Sequence, residues 1–88
     1  LLIASPDARD GSLLIHQDAF IYQLNLDETN SASHLIQAGR TVYIHVISGS
    51  ISVDGEPLMP GDGATINQVD SVYFTGIQKT EALVFDLP

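Results

Sequence analysis

Three histidines, His16, His34 and His45, and eleven acidic residues are the side chains of this 88-residue chain best suited to chemistry. With no cysteine present, a transition metal would have to be held by imidazole and carboxylate. Such a site needs donors converging from several strands. Three separated histidines do not supply that convergence. Their setting reads as one strand histidine, one loop histidine, and His45 on the outward side of the strand Thr41–Ile47. Paired carboxylates can act as general acid and base. Asp54 and Glu56, however, flank an Asp-Gly turn, and Asp62 sits inside Gly61-Asp62-Gly63. Aspartate in such places accepts local backbone hydrogen bonds and fixes the turn. Serine, histidine and aspartate are all available, yet no Gly-x-Ser-x-Gly elbow presents a nucleophile. Gly61-Asp62-Gly63 is too short for a phosphate loop and no helix follows it. No catalytic, cofactor-binding or metal-ligating residue is therefore expected in this chain.

The elements that would position these side chains are short strands. Asp54-Gly55 lies between alternating apolar residues, a strong hairpin signal. In that hairpin Ile51, Val53 and Leu58 share a core face while Ser52 and Glu56 point outward. Pro60-Gly61-Asp62-Gly63 turns the chain into Ala64-Thr65-Ile66. The segment Thr41–Ile47 is β-branched and ends at Ser48-Gly49. Its alternation puts Val42, Ile44 and Val46 on one side and Tyr43, His45 and Ile47 on the other. Residues 19–26, 71–75 and 82–85 read as further strands. In the first of them Phe20, Tyr22, Leu24 and Leu26 lie opposite Ile21. The one helical expectation is a short piece from Ala32 to Ala38, closed by Gly39. Many short strands with turns roughly every ten residues imply a sandwich or barrel.

Composition narrows the function classes. A chain this short forms one domain, and it buries roughly 60–65% of its unfolded surface. Three basic residues oppose the eleven acidic ones, for a formal net charge of -8. Arg9, Arg40 and Lys79 form no basic run, so neither nucleic acid nor an anionic membrane surface is an expected partner. The apolar stretches are too short to span a bilayer. Nothing resembles a signal peptide. The absence of cysteine is compatible with a reducing compartment, and a cytoplasmic location is the expectation. The first residue is Leu1 rather than methionine, which suggests a piece of something longer.

Several stretches, taken in order, resemble one family. They are Leu-Ile-Ala-Ser-Pro-Asp at 2–7, Gln-Asp-Ala-Phe-Ile-Tyr at 17–22, Gly-Arg-Thr-Val-Tyr-Ile-His-Val-Ile-Ser-Gly-Ser at 39–50, Gly-Asp-Gly-Ala at 61–64, and Leu-Val-Phe-Asp-Leu-Pro at 83–88. Together they resemble the C-terminal domain of pirin-like bicupin proteins, whose bacterial members are described as quercetin 2,3-dioxygenases. The resemblance implies an all-β cupin, a jelly-roll-like barrel of two packed antiparallel sheets, spanning residues 1–88 as the C-terminal half of a longer chain. It also implies a metal, iron or similar, in an N-terminal cupin absent from this sequence. The general cupin pattern is His-x-His, a glutamate, then a glycine. Anchored on Gly49, it places the glutamate position at Val42. The histidine pair then falls on Ile36 and Ala38, or on Leu35 and Gln37, and no histidine follows His45.

The leading functional expectation is a metal-free domain that supports the N-terminal cupin. The alternative is a small-molecule-binding cupin with an apolar cavity lined by Val42, Ile44 and Phe74. The stripe Tyr43, His45 and Ile47, with Phe20, Tyr22 or Tyr73 nearby, is too apolar for a bare sheet face. It is expected to pack on the N-terminal cupin of the same protein, or on a second copy of the chain.

Overall fold

A computed structural model describes residues 1–67 and 69–88. Among the described residues, ten strands and one short 3-10 turn, Arg9–Gly11, make up the regular structure. The strands are β1 (Leu2–Ser5), β2 (Leu13–Leu14), β3 (Phe20–Leu26), β4 (Ser31–Leu35), β5 (Thr41–Ser48), β6 (Ile51–Val53), β7 (Glu56–Leu58), β8 (Gly63–Ile66), β9 (Ser71–Gly76) and β10 (Thr80–Leu87). They form two sheets, a six-stranded one in the order β2-β1-β3-β10-β5-β8 and a four-stranded one in the order β4-β9-β6-β7. All pairings are antiparallel except that of β1 with β2.

Alternation explains the packing. On β5 and β10 every second residue is buried, so Val42, Ile44 and Val46 meet Ala82 and Val84 on the inner side of the larger sheet. Opposite them lie Ile51 and Val53 of β6 and Val72 and Phe74 of β9. Burying each of these large side chains contributes roughly 1.5–3 kcal/mol, and this one layer holds the two sheets together. The hairpin of β6 and β7 has Asp54 at φ 49 and Gly55 at φ 91. Two successive positive φ values make the type I′ turn whose twist matches the flanking strands. Ile51 and Leu58 pair on the core side. Glu56, expected outward with Ser52, instead pairs with Val53 and shares the face of Leu58, while Pro57 takes the outward place opposite Ser52, because side chains two apart on a strand point the same way.

Two further expectations change. The segment from Ala32 to Ala38 is not a helix: Ser31–Leu35 is strand β4, paired residue for residue with β9. Its outward positions are mostly serine, so the alternation carries little hydropathy contrast, and pairing with β9 decides the conformation. The neighbours of Tyr43 also differ. Phe20 and Tyr22 turn toward the mouth and interior of the sandwich, and Tyr73 lies on the other sheet. The ring beside Tyr43 is Phe85, centroid to centroid 6.1 Å.

Candidate functional site

Two surfaces draw together the side chains with chemical potential: the mouth of the sandwich and the outer face of the six-stranded sheet.

At the mouth, β10 continues its inward alternation from Ala82 and Val84 to Asp86, which is buried. A carboxylate there must be compensated. Arg40, just before β5, reaches Asp86 Oδ1 with Nε at 2.6 Å and the Asp86 carbonyl with Nη2 at 3.1 Å. Its other contacts are Nη1 to Asp18 Oδ2 at 3.0 Å and Nη2 to the Asp18 carbonyl at 3.2 Å. The bond to Asp86 is the main reason the guanidinium pKa rises above its ordinary value. His34, on β4 of the opposite sheet, brings Nε2 within 2.8 Å of Asp86 Oδ2. One carboxylate thus ties the two sheets together. Tyr22 stands edge-on to the His34 ring at 5.1 Å. Burial, followed by the charge of Asp86, raises the Tyr22 pKa, so the side chain is a neutral phenol at ordinary pH. Arg9 and Arg40 both lie over the Phe20 ring, at 5.1 and 5.6 Å from its centroid.

Arg9 and Arg40, distant in sequence, are therefore neighbours here, yet neither is a free cation. Arg40 is held by two aspartates, and Arg9 forms a bidentate pair with Asp7. Sequence reasoning missed this network. The signal was available: an aspartate at an inward position of a core strand requires a cation or a donor close by.

The cupin metal position is apolar. Val42, at the carboxylate place of the pattern, is fully buried among Ile44, Phe74 and their neighbours. Ile36, at one histidine place, belongs to the same core. Neither can ligate a metal. Among the described residues no three His, Asp or Glu side chains converge as a metal site would require. His16 sits in the bend after β2, His34 on β4, and His45 on the outward side of β5. Both turn aspartates accept from backbone N–H groups, Asp62 within its own turn as expected, but Asp54 across to β9 rather than locally. Asp54 Oδ1 accepts from Tyr73 N at 2.9 Å, and Asp62 Oδ2 accepts from Met59 N at 2.9 Å.

The outer face of the six-stranded sheet is organised by register. Leu13 pairs with Ala4, Ala4 with Ile21, Ile21 with Phe85, Phe85 with Tyr43, and Tyr43 with Thr65. A bulge between Leu2 and Ala4 brings Ala4 into this row. Paired residues point to the same side of a sheet, so Leu13, Ile21, Phe85 and Tyr43 cross it in line, with Ala4, itself buried, between Leu13 and Ile21. Leu87 and Leu83 flank Phe85 on β10. The Tyr43 ring lies directly over Gly63, where any larger residue would collide with it. A shallow cleft of about 480 Å³ lined by Ile15, Ala19, Ile21, Phe85 and Leu87 continues the row.

The sequence matches the family model of the quercetinase C-terminal cupin domain over residues 2–87. It is 38% identical over 87 residues to the quercetin 2,3-dioxygenase of Escherichia coli strain K12, covering 99% of this chain and 38% of that protein. The crystal structure of YhhW from Escherichia coli superposes with a TM-score of 0.96 at 38% identity, over 99% of this chain and 37% of that one. The protein YhaK from Escherichia coli gives a TM-score of 0.88 at 31% identity, over 100% of this chain and 40% of that one. The chain spans about two-fifths of the length of these relatives.

Proposed function

Because this chain belongs to the quercetinase C-terminal cupin domain family, we propose that it is a non-ligating cupin that serves as the docking body for a metal-holding cupin in the same, longer polypeptide. The observation that carries this reading is the apolar row Leu13–Ala4–Ile21–Phe85–Tyr43 on the outer face of the six-stranded sheet. The length of the relatives beyond this chain supplies the occupant: a second domain upstream. In this reading iron or a similar ion sits in that upstream cupin and carries out the dioxygenation of a flavonol. The 88 residues contribute no ligand to it. Their interior supports the same conclusion, because Val42, Ile44, Val46 and Phe74 fill the space a metal and substrate would need.

The test uses a polypeptide of the relatives' length, with and without residues 1–88. Loss of the domain is expected to lower the melting temperature of the upstream cupin. The 88-residue chain alone is expected to consume no oxygen with quercetin. An upstream cupin that melts and turns over equally well without these residues overturns the docking role. Quercetin cleavage by the 88-residue chain overturns the non-ligating role.

A further inference from the structure

We propose that the seam between β3 and β4 is a binding groove for a small, uncharged aromatic alcohol, its ring at an apolar end and its hydroxyl on Tyr22. The seam is distinct from the row Leu13–Ala4–Ile21–Phe85–Tyr43, because Tyr22, Leu24 and Val84 line it from the inner side of β3 and β10. The alternative cavity expected from the sequence, inside Val42, Ile44 and Phe74, is closed by packing. What the fold leaves open instead is the side where β3 of one sheet and β4 of the other are not hydrogen-bonded to each other.

Two clefts meet there and share the Tyr22–His34 pair as a common wall. The first, about 220 Å³, reaches the core through Leu24, Ala32, Phe74 and Val84. Leu1 stands at its rim. The second, about 440 Å³, is lined by Arg9, Asp18, Phe20, Gln37, Arg40 and Asp86 besides the shared pair. An apolar cavity of about 150 Å³ is enough to hold benzene, so the first cleft admits one ring with a short substituent.

The chemistry of the head group follows from what is already paired. Arg40 is spent on Asp86 and Asp18, and Arg9 on Asp7. A charged ligand would find no unpaired counter-charge among the side chains of the polar cleft. No buried polar side-chain atom among the described residues lacks a partner. The Tyr22 hydroxyl makes no hydrogen bond to a described residue and is therefore open to the groove. It is a neutral donor and acceptor at the boundary between the two clefts, where a hydroxyl on the ligand would arrive. Edge and face contacts from Tyr22, His34 and Phe74 favour an aromatic body over an aliphatic one.

The probe is 4-ethylphenol, compared with ethylbenzene and 4-ethylbenzoate, titrated into the 88-residue chain and followed by amide chemical shifts. The expected result is saturable binding, with a dissociation constant on the order of 1 mM or tighter, confined to residues 22–24, 32–34, 74 and 84. Ethylbenzene should bind more weakly, and 4-ethylbenzoate weakest. Tyr22→Phe should weaken 4-ethylphenol about two- to tenfold, the worth of one hydrogen bond, and leave ethylbenzene unchanged. Ala32→Leu should abolish binding by filling the apolar end. If that variant does not fold, the Tyr22→Phe comparison decides. The proposal is overturned by any of three results: no saturable shift, tightest binding by 4-ethylbenzoate, or shifts centred on residues 21, 43 and 85 of the outer face.

Discussion

The four-stranded sheet turns Ser31, Thr75, Ser52 and Pro57 outward in one register row, whereas the six-stranded sheet turns out Leu13, Ala4, Ile21, Phe85, Tyr43 and Thr65. Both rows sit on antiparallel strands of the same sandwich, and both sheets bury an apolar inner face. The demands of strand propensity are thus the same on the two outsides, and serine and threonine meet them on one. Nothing in the fold requires aliphatic and aromatic residues on the other. On the docking proposal, the difference means that the outer face of the larger sheet is composed for contact, while that of the smaller sheet is composed for water. Leu35, at the end of β4 and 79% exposed, and Tyr73, 52% exposed with its hydroxyl on Ser31, are the exceptions on the hydroxyl face, and scattered apolar side chains of that kind are ordinary.

The largest expected effect sets the two faces against each other directly. In a polypeptide carrying the upstream cupin, Phe85→Asp should cost about 3–4 kcal/mol, the sum of lost aromatic burial and a carboxylate placed in an apolar contact. Tyr73→Asp, at the centre of the hydroxyl face, should cost about 1 kcal/mol or less. Chemical denaturation of both variants measures the gap. In the 88-residue chain alone the gap should shrink, because Phe85 then loses only its contact with Tyr43 and its neighbours. Equal costs in the longer polypeptide would erase the distinction between the faces.

A second substitution belongs to neither face and checks that the sheets are held from inside. Arg40→Met leaves the Asp86 carboxylate with His34 as its only side-chain partner among the described residues. Arg40 and Asp86 side chains are 14% and 10% exposed, so the loss should be about 2–3 kcal/mol, near the low end for breaking a buried pair. Replacing both partners, Arg40→Met with Asp86→Leu, should recover most of it, since two apolar groups need no compensation. Urea unfolding of the single and double variants reads the result. A double variant as unstable as the single one would mean that the ion pair itself, rather than the orphaned carboxylate, sets the cost.

These effects also mark what a single sequence discloses. The inward and outward sides of β5 were legible because Thr41–Ile47 alternates cleanly, and the Asp54-Gly55 turn because only a few residue pairs tolerate two positive φ values. The apolar row was half legible. Tyr43 and Ile47 were placed outward, but Ile21, Phe85 and Leu13 join Tyr43 through cross-strand register, which depends on which strands pair. Strand β4 was hidden because serine at its outward positions flattens the alternation. The Arg40–Asp86–His34 network was hidden because its members lie on three separate segments that meet only when the sheets close.

A smaller effect concerns how the hydroxyl face is held. Tyr73 Oη donates to Ser31 Oγ at 2.8 Å across the β4–β9 pairing. Tyr73→Phe should cost about 0.5 kcal/mol, below the usual worth of a hydrogen bond because the pair is exposed to water. Tyr43→Phe on the apolar face, whose hydroxyl makes no hydrogen bond to a described residue, should change the stability of the 88-residue chain less still. Thermal unfolding of the two variants side by side tests the order. A larger cost for Tyr43→Phe would mean that the apolar face depends on a polar contact.

The smallest effect lies at the turn by which the chain leaves the apolar-faced sheet and enters the hydroxyl-faced one. The Asp27 carboxylate accepts hydrogen bonds from the Thr29 hydroxyl and from Thr29 N at 2.8 Å, while Asn30 Oδ1 accepts from Asp27 N at 2.8 Å. The Thr29 side-chain bond is the chief reason the Asp27 pKa lies below the usual carboxylate value. A folded-state pKa below the unfolded one means that the ionised turn stabilises the fold above the unfolded value, near 3.9. That stabilisation fades as pH falls through the lower folded value. Asp27→Asn should therefore be slightly less stable than the parent chain near neutral pH, and the difference should narrow below about pH 4. Melting temperatures of the two proteins between about pH 6 and pH 2 check the sign. A difference that stays constant across that range would assign the turn's stability to geometry alone, shared by asparagine and aspartate, and not to the charge of Asp27.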